Sequence, residues 1–503
     1  MANFSDGTSG VGINNNFDNL KAKAFAQGTW TFPSASEVDV AFSLDGHSGR
    51  LVLKGTGLGR ADGEFTLGTI TSFDLTYAGI HLYSITGVSV AAAVFNLAVS
   101  NWDGQGIFDP LYSGNDTFNL THASAGGSPD TLSGGAGNDT FKFGANFNPN
   151  DHIDGGTGTN TISLNGDYGP SRLTFGTAAD KNIQIIKLAA GHSYNIGLNA
   201  SYGQALTLDG SALGSTTKLT ASTGLGTYGN FTEIGGSGND SLTGGDYSDT
   251  LRPGMGNDTV YGGAGNDTID FTNGQLNAAD KIDGGTGTDT VYLNSDYTGA
   301  HAVTFNATTM VNVEKLTLAA GHSYTLATND MTVASGKTLT INGSALSASN
   351  VLTFNGAAET NGHFVIIGGN GGDKLTGGAL SDTFTYTSAA QSTGMHYDTI
   401  TGFKFGTDIF DIPGGAGAIT GINTKVTSGA LSTATFDANL TSAISSSHLG
   451  AHHAVLFTPT SGTLAGATFL IVDLNGVAGY QSGHDLVIRM NGATGTLAAG
   501  GFH

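Results

Sequence analysis

Two near-identical stretches carry the residues best suited to chemistry, "GGAGNDTFK" at 134–142 and "GGAGNDTID" at 262–270. In each, an Asp (Asp139, Asp267) follows closely on glycines able to adopt positive φ (Gly135 and Gly137, Gly263 and Gly265). Asp is a short carboxylate that tolerates turns and is a hard oxygen donor. Glycine lets successive main-chain carbonyls point one way. Together they suit a cation that prefers oxygen, Ca²⁺ above all.

The spacing sharpens that reading. Residues 235–270 run without a break as "GGSGNDSLT", "GGDYSDTLR", "PGMGNDTVY" and "GGAGNDTID". Asp240, Asp249, Asp258 and Asp267 fall nine residues apart, and Leu242, Leu251, Val260 and Ile269 follow two places later. Gly236, Gly238, Gly245, Gly254 and Gly256 join Gly263 and Gly265 as the loop glycines of this run. The same grammar returns at Asp130 and Asp139, and at Asp151 with Gly156, Gly158 and Asn160. It recurs at Asp280 and Asp289 with Gly285 and Gly287, and at Asp373 and Asp382 with Gly369 and Gly371. An isolated "SGNDTFNL" lies at 113–120.

The tail of each unit is a minimal strand with one apolar side chain facing inward. Two units make one turn of a parallel β-roll, so residues 18 apart stack. Asp240 is expected over Asp258 and Asp249 over Asp267, with Ca²⁺ between neighbouring loops. Without the ion, stacked carboxylates repel and a thin apolar stripe does not offset chain entropy. With it, metal-binding energy becomes folding energy.

These nonapeptides resemble the RTX (repeats-in-toxin) repeat G-G-x-G-x-D-x-U-x, a calcium-binding β-helix unit. Departures exist: Pro253 replaces a first Gly, Asn160 replaces Asp, and Ser128, Tyr247 and Leu380 stand where a loop Gly belongs. The resemblance implies several bound Ca²⁺ and export through a type I (ABC exporter) channel. The segment "YDTITGFKFGTDIFDI" (397–412) and the tail ending "GTLAAGGFH" are similar to the end of RTX proteins, whose tail is an uncleaved secretion signal.

Composition agrees with a chain that folds around cations. The 503 residues include 80 Gly and no Cys, and Lys+Arg total 18 against 40 Asp+Glu, a formal net charge of −22. Only five acids are Glu (Glu37, Glu64, Glu233, Glu314, Glu359), leaving 35 Asp. A helical protein would favour Glu. The charge argues against nucleic acid or an anionic membrane as partner, both of which need clustered Lys/Arg. The longest apolar run, "VSVAAAVFNLAV" (88–99), is too short to span a bilayer. The start "MANFSDGTSG" lacks the basic and apolar regions of a cleaved signal peptide.

A longer duplication encloses the repeats. "DHIDGGTGTNTISLNGDYG" (151–169) matches "DKIDGGTGTDTVYLNSDYT" (280–298), "IKLAAGHSYNI" (186–196) matches "LTLAAGHSYTL" (316–326), and "TLDGSAL" (207–213) matches "TINGSAL" (340–346). The inserts read as wider, apolar-cored solenoid turns or small β-domains. The His192–Tyr194 and His322–Tyr324 pairs read as turns with Tyr packed on the sheet, and His448, His452 and His453 lack a carboxylate or Cys framework for a transition metal. The expected fold is all-β. It comprises an amino-terminal β-sandwich-like domain (1–112), a first repeat-plus-insert unit (113–258), a second (259–385), and a carboxy-terminal β-rich capping and secretion region (386–503).

Catalytic signatures are sparse. There is no H-E-x-x-H, no G-x-S-x-G and no Cys nucleophile, and "GHSGR" (46–50) lacks the last Gly. The expectation is a non-enzymatic, secreted, calcium-dependent structural or adhesive component of a bacterial cell surface or matrix, S-layer-like or filamentous, with its own copies as partners. A polysaccharide-binding module and an extracellular enzyme with an unrecognised site stand as alternatives.

Overall fold

Thr, Val, Ile and Phe alternate with small polar residues along the repeat tails, and in the computed structural model these tails are short strands with alternating burial. The structure describes residues 29–34, 37–44, 47–61, 64–77, 80–91, 115–120, 131–145, 147, 151–175, 180–198, 205–223, 229–272, 276–415 and 417–503. Two compact units divide the chain, Met1–Asp249 and Thr250–His503.

In the first unit, strands Thr29–Ser34, Glu37–Leu44, His47–Ala61, Glu64–Tyr77 and Ile80–Ala91 form an antiparallel meander. The amino-terminal part, expected to be β-sandwich-like, is among the described residues one continuous sheet. Its last strand pairs antiparallel with Thr117–Leu120, and from there the wall turns parallel. Thr140–Phe143, Thr161–Leu164, Ile185–Leu188, Leu206–Asp209 and Phe231–Ile234 follow one another, one strand per coil. A facing wall holds Tyr168–Phe175, Tyr194–Leu198, Leu219–Thr223 and Ser241–Thr243. A third, short sheet holds Thr131–Ser133, His152–Asp154 and Asp180–Lys181.

The second unit repeats the plan. One wall runs Thr250–Arg252, Thr268–Phe271, Thr290–Leu293, Lys315–Leu318, Thr338–Asn342, His363–Ile367, Thr383–Thr385 and Ile409–Asp411, all parallel. Facing strands close each coil, and the last of them, Asp398–Thr401, pairs with Asp485–Asn491. There the parallel order ends. Phe469–Asp473 and His453–Phe457 continue the sheet antiparallel over a separate apolar cluster that includes Phe436, Leu440, Phe457, Phe469 and Val487. Helix Phe436–Ala443 packs into that cluster; it is the one α-helix among the described residues. No helix there is long and apolar enough to cross a membrane.

Inside the coils, Ile162, Leu164, Ile186, Leu188 and Leu208 are completely buried, as are Val291, Leu293, Leu316 and Leu318. The duplicated inserts are wider solenoid turns. Each carries a buried tyrosine pair, Tyr168 on Tyr194 and Tyr297 on Tyr324, with ring centroids 6.0 and 5.8 Å apart. The Tyr324 hydroxyl donates to the Leu293 and Ala319 carbonyls at 3.0 and 3.1 Å, and Tyr194 does the same to Leu164 and Ala189 at 3.1 and 3.2 Å. The "GHSY" segments therefore supply a core tyrosine that ties one coil to the next.

Coil length differs from expectation. An 18-residue step relates Phe231 to Asp249, Thr250 to Thr268 and Phe364 to Asp382. Elsewhere the loop residues that meet are 21 to 26 apart. Extra residues bulge between the two loops of those coils, which lengthens the turn without disturbing the wall register. The Asp240/Asp258 and Asp249/Asp267 pairs of the expected register belong one to each unit.

Candidate metal centre

Each repeat Asp stands just before a wall strand, so its side chain turns into the edge of the coil rather than toward solvent. Asp139, Asp289 and Asp373 are fully buried, and Asp240, Asp249, Asp258, Asp267 and Asp280 nearly so. One carboxylate oxygen accepts a main-chain N–H from an adjacent coil. In the first unit the Asp116 N–H donates to Asp139 Oδ1 (2.8 Å), Asp139 to Asn160 Oδ1 (2.8 Å) and Asn160 to Gln184 Oε1 (2.7 Å). In the second, Asp258 donates to Asp280, Asp267 to Asp289, Asp289 to Glu314 and Asp373 to Asp398, all at 2.8 Å. The result is a ladder of acidic and amide side chains along the edge of each unit.

The second carboxylate oxygen divides the sites into two kinds. In Asp240, Asp249 and Asp382 it accepts an N–H from the residue's own loop: Gly236 (2.7 Å), Gly245 (2.6 Å) and Gly378 (2.6 Å). These carboxylates are capped by main chain on both oxygens, since Leu219, Phe231 and Phe364 supply the other donor. Asp280 is similar, taking N–H groups from Asp258 and Asn277. By contrast, Oδ2 of Asp139, Asp289 and Asp373 is buried with no hydrogen-bond partner among the described residues.

Backbone conformation follows the same division in part, the Asp139 and Asp289 loops being left-handed at both glycines and the Asp373 loop at Gly369 alone. Gly135 and Gly137, Gly263 and Gly265, and Gly285 and Gly287 all have positive φ, as do Gly156, Gly158, Gly254, Gly256 and Gly369. Gly236, Gly238, Gly245 and Gly371 do not. In the left-handed loops the glycine is required twice over. A Cβ on Gly285 would collide with the Gly263 carbonyl, and one on Gly287 with the Gly265 carbonyl, because carbonyls of one loop aim into the next. Gly156 and Gly158 stand in the same relation to the Gly135 and Gly137 carbonyls.

An unpaired buried carboxylate oxygen is costly, and burial raises the proton affinity of these carboxylates, the doubly capped Asp382 included, which is raised to about 6. Burial is the first cause that raises Asp139, Asp289 and Asp373 to about 6. Burial and then the Asp139 charge take Asp116 to about 8. Among the described residues, no three His, Asp or Glu side chains converge on one point. A cation at these loops must therefore take much of its shell from main-chain carbonyls. Carboxylate plus carbonyl is an all-oxygen set, which fits Ca²⁺ and not a soft metal. The residues that would hold it are Asp139, Asp289 and Asp373 with the carbonyls of their left-handed glycine loops; the ion would supply the positive charge that these edges lack.

Other sequence candidates fall into place around these loops. Asp151 is buried beside strand His152–Asp154, and Asp130 lies outside the described residues. His448, His452 and His453 do not converge; His453 Nδ1 lies 2.8 Å from Asn423 Oδ1 and His448 Nδ1 3.3 Å from Ser445 Oγ. The ladder also includes Asp116, from the isolated "SGNDTFNL", and acids that the glycine spacing did not mark: Glu314, Asp398 and Asp408, whose Oδ1 accepts the Asp382 N–H at 3.1 Å. Their signal was present in part, since each precedes an inward apolar residue by two places, as in Asp398–Ile400 and Asp408–Phe410.

A parallel coil with such edges defines a calcium-binding β-roll. Comparison with known families agrees. Residues 122–148, 234–269 and 277–297 match the RTX calcium-binding nonapeptide repeat (4 copies), and residues 334–423 match the Peptidase M10 serralysin C terminal domain. No curated protein matches the chain. The chain thus carries RTX calcium-binding nonapeptide repeats together with a segment similar to the serralysin carboxy-terminal domain, a combination that points to secretion.

Proposed function

We propose that this protein is a structural or adhesive component of the bacterial cell surface or extracellular matrix, S-layer-like or filamentous, and not an enzyme. In this reading a type I ABC exporter moves the chain while it is calcium-poor and unfolded. Millimolar Ca²⁺ outside then closes the coils. The observation that carries the reading is the edge ladder: buried carboxylates recur along both units, so calcium sets the fold of the repeat coils rather than decorating a finished domain. A chain whose coils serve mainly to stack suits a scaffold, because such coils contact only their neighbours and extend in one dimension. Copies of the same chain, or surface polysaccharide, are the partners that suit it.

Particle mass by multi-angle light scattering tests this while Ca²⁺ is raised from chelator. Compaction followed by growth into large particles is the expected result. Compaction that stops at a 50.8 kDa monomer would remove the self-assembling reading.

A further inference from the structure

The loop before Asp408 breaks the repeat at one place. Four and two residues ahead of the Asp stand Gly135 and Gly137 for Asp139, Gly263 and Gly265 for Asp267, and Gly285 and Gly287 for Asp289, all with positive φ. Ahead of Asp408 the nearer place still holds a left-handed glycine, Gly406, but the farther one holds Lys404, whose φ is not positive. In the left-handed loops this farther place faces a carbonyl of the coil before it, which is why a Cβ on Gly285 would meet the Gly263 oxygen.

Lys404 reaches the matching carbonyls of its own neighbour. Gly378 and Ala379 lie four and three residues ahead of Asp382, one coil earlier. Lys404 Nζ donates to the Ala379 carbonyl at 2.6 Å and to the Gly378 carbonyl at 3.5 Å. The carboxylates beside it are already satisfied. Asp382 accepts the Phe364 and Gly378 N–H groups, and Asp408 accepts those of Asp382 on Oδ1 (3.1 Å) and of Lys404 itself on Oδ2 (2.7 Å). Each of the four oxygens therefore has a main-chain donor, unlike Oδ2 of Asp139, Asp289 and Asp373. Burial raises the Asp408 carboxyl, and those two N–H groups and the Lys404 charge oppose the rise.

We propose that Lys404 is a tethered cation that takes the place of Ca²⁺ between the Asp382 and Asp408 loops, so that strands Thr383–Thr385 and Ile409–Asp411 stay joined without the ion. An ammonium on a flexible stem offers three N–H donors to the same carbonyl oxygens that a hard cation would use. It cannot dissociate, so this gap does not respond to calcium concentration. The coil it closes is also tied to the end of the chain. The Phe405 N–H donates to the Thr494 carbonyl at 2.9 Å, and the Ile412 N–H to the His503 carbonyl at 2.8 Å. Lys404 therefore gives the calcium-dependent coils a fixed end on which to build.

Hydrogen exchange in the full chain, in chelator and at saturating Ca²⁺, tests this for the wild type, Lys404→Met and Lys404→Arg. Wild-type amides in 383–385 and 409–411 are expected to be equally protected in both conditions, while those in 290–293 lose protection in chelator. Lys404→Met keeps an apolar stem and removes the charge. In chelator it is expected to exchange about tenfold faster or more in the two strands, the effect of losing a hydrogen bond from a charged donor. Lys404→Arg keeps a charge and is expected to stay close to the wild type. The wild-type comparison stands even if a variant misfolds: loss of protection in 383–385 and 409–411 at the calcium concentration that opens 290–293 would put an ion in this gap and overturn the proposal. Exchange of Lys404→Met at the wild-type rate, or of Lys404→Arg as fast as Lys404→Met, would overturn it too, since the charge would then hold nothing.

Discussion

Asp289 and Asp382 occupy the same place in the repeat and have different surroundings. Asp289 keeps one buried oxygen without a hydrogen bond among the described residues, whereas the two oxygens of Asp382 are held by the Phe364 and Gly378 N–H groups. Removing the first should damage calcium binding, and removing the second should damage the wall. Asp289→Ala is expected to weaken calcium at its loop by at least about tenfold, the size of effect seen for even an outer-shell partner. It should also lower the bound count in equilibrium dialysis. Asp382→Ala should leave the count alone and lower stability at saturating calcium by about 1–3 kcal/mol, the cost of a buried donor left unsatisfied. Loss of an ion from Asp382→Ala, or none from Asp289→Ala, would show that the two kinds of loop are not distinct. The sequence distinguishes the two in part, since Leu380 stands before Asp382 where Gly287 stands before Asp289. It does not settle whether a loop turns its N–H groups or its carbonyls inward, because the Asp240 loop keeps its glycines and is capped all the same.

At the level of the coil, the internal duplication supplies its own control. "FTEIGG" at 231–236 aligns with "FVIIGG" at 364–369, so Glu233 stands where the second copy has Ile366. Each points inward on the corresponding wall of its own unit, paired with Leu208 and Ile341 respectively. Glu233 is 0 % exposed, and the one group that approaches its carboxylate among the described residues is the Thr243 main chain. Burial first, and the Asp249 charge second, hold its carboxyl well above the ordinary range. The fold does not need an acid there, since the duplicate fills the place with an aliphatic side chain. Glu233→Ile is expected to stabilise the protein by about 1–3 kcal/mol, the penalty of an unmatched buried polar group. Urea midpoints at saturating calcium measure it; a lower midpoint would mean that Glu233 holds something in place. The parallel coil, its inward apolar columns and its duplication were legible because strand period and repeat period are written into the residues. The length of each coil was less so. Loops tolerate insertion between Gly-rich segments at little cost, so the 18-residue step of the sequence opens to 22 between Asp267 and Asp289 and 25 between Asp289 and Glu314.

The whole chain combines two ways of stabilising β-structure. Around the repeat loops the coils are built largely from Gly, Asp, Asn and Thr, and ordering each residue costs about 1–2 kcal/mol, so their stability depends on the ion. The carboxy-terminal region differs. Leu431, Leu440, Ile444, Leu449, Val455, Phe457, Phe469, Ile471 and Val487 are fully buried there in one cluster, an ordinary apolar core under an antiparallel sheet. Each such side chain contributes roughly 1.5–3 kcal/mol on burial, with no metal required. Chelation should therefore not unfold the protein uniformly. After calcium is removed, amides in 131–145 and 254–293 are expected to lose protection from hydrogen exchange first. Those in 453–457, 469–473 and 485–491 should retain most of theirs. Restoring calcium should then rebuild the coils onto a carboxy-terminal sheet that is already in place, since Asp398–Thr401 pairs directly with Asp485–Asn491. Simultaneous loss of protection in both regions at one calcium concentration would instead make the molecule a single cooperative unit, with the apolar cluster as dependent on the ion as the coils are.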